Sequence, residues 1–232
     1  MSTPPDKKMS TGCPPIDLLL GGGLSKRELL LLYGERGSGK TSFAFQAILK
    51  AATQGIPSTV IYTEGRVPLE RLMEMASSSW SSVCDQIWIR EVKSFEDQDT
   101  LIESLEEQMP KQTGLLVIDS ITSRYRGTVR ERKKDNIPVN KSLNREIALI
   151  KQLCLETGLT VLMTSEVTAQ LGGSGVGVKP VAAAILTYWS DRVIRMEKLT
   201  GDLRKVSLMK PEGSRDALIR ITERGLVGAD GV

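Results

Sequence analysis

The sequence predicts an α/β fold, with a mainly parallel central sheet flanked by helices and a C-terminal extension of antiparallel strands. Between residues 28 and 165, apolar stretches of strand length alternate with helical patterns, which is typical of parallel strands joined by helical crossovers. A glycine-rich motif stands between the first strand and the first helix. After Pro180 the short apolar stretches are separated only by polar turns, which favours antiparallel hairpins.

Each predicted element rests on an apolar run or a helical period. Five strands are predicted in the alternating part: ELLLLYG (28–34), STVIYTE (58–64), QIWIREV (86–92), GLLVIDS (114–120) and LTVLMTS (159–165). The helices between them are KTSFAFQAILKAATQG (40–55), PLERLMEMA (68–76), FEDQDTLIESLEEQM (95–109) and LNREIALIKQLCLETG (143–158). The C-terminal strands are DRVIRMEKL (191–199), RKVSLMKP (204–211) and ALIRITERGLV (217–227). We expect a flexible tail over residues 1–9 and a single domain over residues 10–232.

Bulk properties narrow the function classes. A chain of 232 residues can bury a sizeable core as one domain. Its net charge of +3 is too small to predict a polyanionic partner by itself, so local clusters must carry that argument. Histidine is absent, which excludes His-dependent triads and His-containing zinc sites.

The cysteines and the apolar runs bear on location. The three cysteines are odd in number and widely separated, which favours inert thiols in a reducing cytoplasm. The start of the sequence has no apolar core segment, and the longest apolar run, near residues 181–189, is too short to cross a bilayer. We therefore expect a cytoplasmic protein without membrane contact.

A phosphate-binding motif lies between the first predicted strand and the first predicted helix. Residues 34–41 fit G-x-x-x-x-G-K-[ST], the P-loop pattern, in which glycines let backbone N–H groups turn inward around phosphates. The Lys40 amine would reach the β- and γ-phosphates, and the Thr41 hydroxyl would bind Mg²⁺. A chance glycine-rich turn is the alternative, but the strand-to-helix context is the one that the motif requires. The predicted nucleotide-binding residues are Gly34, Glu35, Arg36, Gly37, Ser38, Gly39, Lys40, Thr41 and Ser42.

Two carboxylates end neighbouring predicted strands. Asp119 closes LLVID and would hold Mg²⁺ together with Thr41. Glu64 closes VIYTE, and because parallel strands present their carboxyl ends in one crevice, it would face the γ-phosphate and act as a base. The alternative for Glu64 is a carboxylate at a helix entry. Arg71, in the helix that follows, either stacks on adenine or lies on a solvated helix face.

A basic segment, part of a loop that the sequence pattern predicts over residues 124–140, suggests a nucleic-acid site. Residues 124–134 carry six cations against one acid, Glu131, and Tyr125 among them could stack on a base. The predicted DNA-binding cations are Arg124, Arg126, Arg130, Arg132, Lys133 and Lys134, with Lys179 beside the glycine-rich stretch 169–180. A solvated charge run is the alternative. The cations of the C-terminal strands, including Arg204, are expected to be ordinary strand-surface residues.

Several sequence blocks together resemble the RecA/RadA recombinase superfamily and, within it, the archaeal RadB proteins. The blocks are STGCPPIDLLLGGGLSKRELLLLYGERGSGKT (10–41), YTEGRVPLERL (62–72), VIDSITSRYR (117–126) and RITERGLV (220–227). The resemblance covers nearly the whole chain. It implies a RecA-type P-loop ATPase core, ATP and Mg²⁺ as cofactors, and binding of single-stranded or branched DNA in homologous recombination and repair. It also implies a RadA-type recombinase as partner, and a Holliday-junction nuclease as a further one.

The sequence departs from that superfamily in two ways. Full recombinases carry an extra DNA-binding domain and a linker Phe, whereas here about ten residues precede the resemblance and the phenylalanines lie inside the core. The resemblance therefore implies the short accessory form, a weak ATPase without strand exchange of its own. After the fifth strand the family has T-N-Q, but this chain has Ser165 and Glu166. A carboxylate can only accept hydrogen bonds, so we expect weak coupling between γ-phosphate and DNA.

Other functions remain open at this stage. A P-loop phosphotransferase for a small molecule would need an acceptor pocket and a lid, which the basic segment could imitate. A regulatory ATPase of the circadian type is disfavoured, because Glu64 is followed by Gly65 rather than by a second glutamate. The third alternative is a mediator that binds ATP without hydrolysing it.

Overall fold

The computed structural model describes residues 8–169, 178–213 and 215–229. Its helices are α1 (Pro14–Leu19), α2 (Lys40–Thr53), α3 (Leu69–Ala76), α4 (Trp80–Val83), α5 (Phe95–Glu103), α6 (Leu105–Gln108), α7 (Ser123–Thr128), α8 (Ile137–Thr157) and α9 (Ala183–Trp189). Its strands are β1 (Leu29–Gly34), β2 (Ser58–Tyr62), β3 (Ile87–Glu91), β4 (Leu115–Asp119), β5 (Thr160–Ser165), β6 (Val167–Ala169), β7 (Val178–Pro180), β8 (Arg192–Lys198), β9 (Leu203–Lys210), β10 (Arg215–Thr222) and β11 (Gly225–Gly228).

One large sheet organises the domain. Within the described residues its strand order is β11-β10-β9-β8-β1-β5-β4-β2-β3, and β6 and β7 form a separate two-stranded ribbon. The strands from β8 to β3 in that order run parallel, and those from β8 to β11 run antiparallel to one another. The predicted fold class is confirmed.

The central strands are mainly apolar and buried along their whole length because helices cover both faces of the sheet. Every residue of β1, β2, β4 and β5 is buried. One core cluster joins α1, α2 and α3 to one face, and a second joins α5, α7, α8 and α9 to the other. This packing holds the carboxyl ends of β1, β2, β4 and β5 at one edge, where the P-loop and Asp119 lie.

The C-terminal part differs from the prediction at its first strand. β8 runs parallel to β1, with Leu31 opposite Val193, rather than starting an antiparallel extension at once. The reason is α9, a helix that the sequence pattern did not predict, which carries the chain back across the sheet before β8. Only β9, β10 and β11 extend the sheet in the antiparallel manner expected.

The basic segment is largely helical, although the sequence pattern predicted a loop over residues 124–140. It forms α7, a 3₁₀ turn at Lys133–Asn136 and the start of α8. Tyr125 is buried: its ring packs edge-on against Phe95, with centroids 6.1 Å apart, and its hydroxyl donates a 2.6 Å hydrogen bond to Asn140 Oδ1. The expectation that Tyr125 stacks on a base is therefore wrong, because its ring belongs to the core.

Two further expectations meet the structure here. Lys8 and Met9, assigned to the flexible tail, are ordered: Met9 is buried and pairs with Leu24, and Lys8 Nζ donates to Gly21 O at 2.9 Å. The glycine-rich stretch 172–177 lies outside the described residues. None of the described helices combines the length and the apolar character that a membrane crossing requires.

Candidate nucleotide site and nucleic-acid interface

The P-loop joins β1 to α2 and packs closely against β8. A Cβ atom at Gly34 would lie 2.2 Å from the Met196 carbonyl oxygen, so no side chain fits there. Gly37 and Gly39 have φ angles of 71° and 111°, in the left-handed region that favours glycine. The conformation of the loop thus explains why the motif needs glycine at these positions.

Lys40 begins α2 and lies folded over the loop that precedes it. Its side chain is largely buried, and Nζ donates to Gly34 O at 2.9 Å and to Glu35 O at 3.0 Å. Burial lowers the pKa of Lys40, while the neighbouring carboxylates of Glu64 and Asp119 act in the opposite direction. The amine is therefore held at the P-loop, with anionic groups near it.

Thr41 and Asp119 meet at the carboxyl edge of the sheet. Thr41 Oγ1 donates a 2.7 Å hydrogen bond to Asp119 Oδ2, and Thr164 Oγ1 donates to Asp119 Oδ1. Asp119 is 1% exposed, and this burial raises the pKa of its carboxyl, although both threonine hydrogen bonds act against the rise. A hydroxyl and a carboxylate at one point form the oxygen donor set that Mg²⁺ prefers.

A cleft of about 280 Å³ opens over the P-loop. Its lining brings together six of the predicted site residues, namely Arg36, Gly37, Gly39, Lys40, Thr41 and Ser42, with Glu64. Glu64 is exposed at the end of β2. The proposed base Glu64, the phosphate-binding Lys40 and one proposed metal ligand, Thr41, therefore share one cleft, and Asp119 adjoins it through its hydrogen bond to Thr41.

Arg204 is a residue of this cleft that sequence reasoning missed. It was expected on a strand surface, but it is 9% exposed on β9, and its Nε donates to Ser38 O at 3.0 Å. Its Nη1 donates to the carbonyl oxygens of Gly201 and Leu203 at 2.8 and 2.9 Å, and its Nη2 donates to Gly37 O at 3.4 Å. No sequence signal marks this arginine, because its P-loop partner lies 166 residues away.

Arg71 lies on α3 and is held by the turn between β10 and β11. Its two terminal nitrogens donate to Glu223 O at 2.5 Å and to Thr222 O at 2.8 Å. It also forms an ion pair with Glu74 at 3.6 Å. Its role at adenine stays a prediction, and the contacts show that its guanidinium has partners within the chain.

Glu166 lies where β5 ends, and it also lines the cleft. Its carboxylate forms an ion pair with Arg126 of α7. Its backbone carbonyl accepts hydrogen bonds from Val181 N at 2.9 Å and from Ser165 Oγ at 3.0 Å. The expected repulsion between the Glu166 carboxylate and a γ-phosphate is therefore offset by the positive charge of Arg126.

The predicted DNA-binding cations fall into two groups. Arg124 and Arg126 have protein partners: Arg124 Nε donates to Val92 O at 3.1 Å, and Arg126 pairs with Glu166. In the second group, Arg130, Arg132, Lys134 and Lys179 are exposed, as is Arg126 of the first group. The side chain of Lys133 lies outside the described atoms. A DNA-binding role for Arg124 and Arg126 would require them to exchange these partners for phosphates.

The exposed cations lie on an ordered connection rather than on a loose loop. Asn136 is buried: its Oδ1 accepts from Arg130 N at 2.7 Å, and its Nδ2 donates to Arg130 O at 2.8 Å. This bidentate contact closes the turn between α7 and α8. Arg130, Arg132 and Lys134 thereby remain together on one exposed segment.

A parallel sheet with a P-loop after β1, and with an aspartate at the end of β4 that meets the P-loop threonine, defines a P-loop domain of the RecA type. The chain belongs to the Rad51 family, whose model matches residues 7–229. The resemblance to the RecA/RadA superfamily, and to RadB proteins within it, is thus confirmed.

Relatives with the printed name DNA repair and recombination protein RadB are similar over most of the chain. Those of Methanosphaera stadtmanae and Methanocaldococcus jannaschii are each 29% identical, over 218 and 213 residues. The alignments cover 91% and 90% of this chain and 92% and 96% of the relatives. A crystal structure of the RadB recombinase matches with a TM-score of 0.78 and 29% identity, covering 95% of this chain and 99% of that one.

Proposed function

We propose that this protein binds ATP with Mg²⁺, hydrolyses it weakly and binds DNA, as an accessory to a RadA-type recombinase in homologous recombination and repair. The observation that carries the ATP part is the single cleft shared by Lys40, Thr41 and Glu64, with Asp119 bonded to Thr41. The repair and recombination part is supported by the Rad51 family and by the names of the RadB relatives.

The residues of the cleft fit a magnesium-bound nucleotide. The P-loop approaches β8 too closely for a side chain at Gly34, which keeps its backbone turned around the cleft. The Lys40 amine and the Thr41 hydroxyl, which line the cleft, are polar groups that phosphate oxygens and Mg²⁺ would take as partners. The Thr41 hydroxyl and the Asp119 carboxylate supply oxygen ligands for Mg²⁺. When bound, the ion would neutralise phosphate charge.

Each polar side chain has a distinct task in this proposal. Lys40 exchanges its contacts with the Gly34 and Glu35 carbonyl oxygens for phosphate oxygens, which carry more negative charge. Glu64, exposed to solvent in the same cleft, orients water and accepts its proton. Arg204 holds the Ser38 carbonyl and keeps the loop in place.

The DNA part of the proposal rests on the exposed cations between α7 and α8. Arg130, Arg132 and Lys134 would contact phosphates, and Lys179 on the β6–β7 ribbon would add a further contact. Phosphate contacts carry no sequence information directly, so we expect binding to single-stranded or branched DNA with little sequence preference. A Holliday-junction nuclease belongs to the proposal as a further protein partner.

The ordered basic segment bears on the phosphotransferase alternative. A lid would have to move over the cleft, but this segment is tied down by Tyr125 and Asn136 and continues into α8. This favours a fixed nucleic-acid surface over a lid. A mediator that binds ATP without hydrolysing it differs from the proposed protein only in its lack of ATP hydrolysis. A measurement of ATP hydrolysis therefore separates the two.

The test measures ATP affinity, ATP hydrolysis and DNA affinity on one purified protein. We expect ATP binding, slow hydrolysis without any metabolite, and binding of single-stranded oligonucleotides. Lys40→Ala should abolish tight ATP binding, whereas Lys50→Ala, an exposed lysine on the same helix, should not. Unchanged ATP affinity in Lys40→Ala would contradict the nucleotide site. Binding without turnover would favour the mediator.

A further inference from the structure

The ion pair between Arg126 and Glu166 links the candidate nucleotide cleft to the candidate DNA surface. Glu166 lines the cleft together with Lys40 and Glu64. Arg126 lies in the last turn of α7, seven residues after Asp119, and α7 leads directly into the exposed cations. This ion pair thus connects the cleft that is proposed to bind ATP with the surface that is proposed to bind DNA.

Burial makes the two partners unequal. The Glu166 side chain is 23% exposed, whereas that of Arg126 is 50% exposed. Glu166 is also tied down by its carbonyl, which accepts hydrogen bonds from Val181 N and Ser165 Oγ. Glu166 therefore remains at the cleft, and Arg126 is the partner that solvent, or a phosphate group, can reach and draw away.

Charge determines what each ligand does to the pair. A triphosphate in the cleft is repelled by Glu166 unless a cation neutralises that carboxylate, and Arg126 is the cation paired with it. A DNA phosphate that takes Arg126 leaves Glu166 uncompensated beside the cleft. Each polyanion therefore favours a different state of the same arginine.

We propose that Arg126 and Glu166 form a latch that makes ATP binding and DNA binding mutually antagonistic. The latch rests on the proposed function, since it needs both ligands. ATP binds best when the Arg126–Glu166 ion pair is formed, which is the closed latch. DNA gains Arg126 as a contact only when this ion pair is broken and the latch is open. Since coupling is reciprocal, each ligand lowers the affinity for the other by the same factor. We expect about fivefold, at the lower end of usual allosteric couplings.

The experiment measures affinity for a fluorescent single-stranded oligonucleotide with and without a non-hydrolysable ATP analogue and Mg²⁺. In the wild type the analogue should weaken DNA binding. Glu166→Gln should bind DNA more tightly and lose the antagonism. Because the analogue keeps Arg126 on Glu166, it should flatten the log–log salt slope of single-strand binding by about 0.7 in the wild type but not in Glu166→Gln.

Two controls separate the latch from simple charge effects. Glu131→Gln removes the same charge from the exposed basic segment, and it should tighten DNA binding while keeping the antagonism. Arg126→Gln leaves Glu166 unpaired and should weaken binding of the analogue, and the double variant Arg126→Gln/Glu166→Gln should restore it.

The outcomes distinguish the latch from the proposed function. Equal antagonism in the wild type and in Glu166→Gln would overturn the latch. Absent or positive coupling in the wild type would do the same while both ligands still bind. A wild type that binds neither the analogue nor DNA would overturn the proposed function and the latch together.

Discussion

Thr41 Oγ1 donates a 2.7 Å hydrogen bond to Asp119 Oδ2 across 78 residues of sequence. This contact joins the P-loop helix to the end of β4, the two elements that the proposed magnesium site needs. The buried carboxylate has two threonine hydroxyls as partners, Thr41 and Thr164, which fix its orientation toward the P-loop.

The first prediction concerns this carboxylate. Asp119→Asn keeps the shape and the hydrogen-bond acceptor but removes the charge that attracts a divalent cation. We expect the gain in ATP affinity on adding Mg²⁺ to fall by roughly tenfold or more, because interactions with charged groups contribute about 1.5–3 kcal/mol. Calorimetric titration of ATP into the protein, once with Mg²⁺ and once with a chelator, measures that gain. Asp85→Asn, at an exposed carboxylate, is the control and should behave as the wild type.

The second prediction concerns catalysis. Glu64→Gln should keep ATP and Mg²⁺ binding but reduce hydrolysis by roughly 10²- to 10⁴-fold, because an amide cannot accept the proton of water. Single-turnover hydrolysis with saturating enzyme measures this without interference from product release. Glu70→Gln, an exposed carboxylate on α3, should hydrolyse ATP at the wild-type rate. Turnover that persists at that rate in Glu64→Gln would assign Glu64 a structural role only.

The third prediction concerns Arg204 as a positioning residue. Arg204→Lys keeps the charge but loses the planar set of donors that reaches Ser38, Gly201 and Leu203. We expect ATP affinity to fall about tenfold or more as the P-loop loses this support, with a smaller change in the rate of the bound complex. Arg220→Gln, which removes a half-exposed ion pair with Asp202, is the control and should leave ATP affinity unchanged. Equal loss of affinity in both variants would point to general destabilisation.

The fourth prediction concerns the exposed basic segment. Replacing Arg130, Arg132 and Lys134 together by Gln should flatten the log–log salt slope of single-strand binding by about 2, from roughly 0.7 per phosphate contact. The loss should be nearly the same for different sequences. The control replaces exposed Lys26, Lys50 and Lys111, which lie toward the opposite edge of the sheet. A slope that changes only in the control variant would place DNA on that other edge.

The fifth prediction concerns a buried carboxyl between α5 and α8. Burial raises the pKa of Glu146 to about 8, with Gln98 as its hydrogen-bond donor at 2.7 Å. Gln98 Oε1, Asp99 Oδ1 and Glu146 Oε1 are buried without partners among the described residues, and a proton on Glu146 would let this carboxyl donate to Asp99. Asp99 in turn pairs with the exposed Arg145. The structure thus favours a neutral Glu146.

The sign of the pH dependence follows from that rise. Since the folded chain holds the proton more tightly than the unfolded chain, this stabilisation is complete below the unfolded pKa of 4.5 and is lost as pH rises to about 8. Denaturant titrations should show stability falling by up to ~1.4 kcal/mol per pH unit in this window from Glu146 alone. Glu146→Gln should remove that slope and exceed the wild type in stability above pH 8. Glu156→Gln, exposed on the same helix, should retain the slope.

Local patterns in the sequence determined the alternating strands and helices, the P-loop and the position of Asp119. These features depend on neighbours in the chain: an apolar run is buried in a parallel sheet, and glycines at set spacings permit the left-handed turns of the loop. The sequence also predicts that Glu64, Thr41 and Asp119 meet at the carboxyl edge of the sheet, because parallel strands present their carboxyl ends together.

Only the tertiary structure could place the groups whose partners lie far along the chain. Arg204 reaches Ser38 across 166 residues, Arg126 pairs with Glu166 of the cleft, and Tyr125 belongs to the core. In sequence these residues look like surface arginines and an exposed aromatic within a charge run. Their roles depend on which helix and strand faces become neighbours, and a side chain's own sequence context carries no information about that.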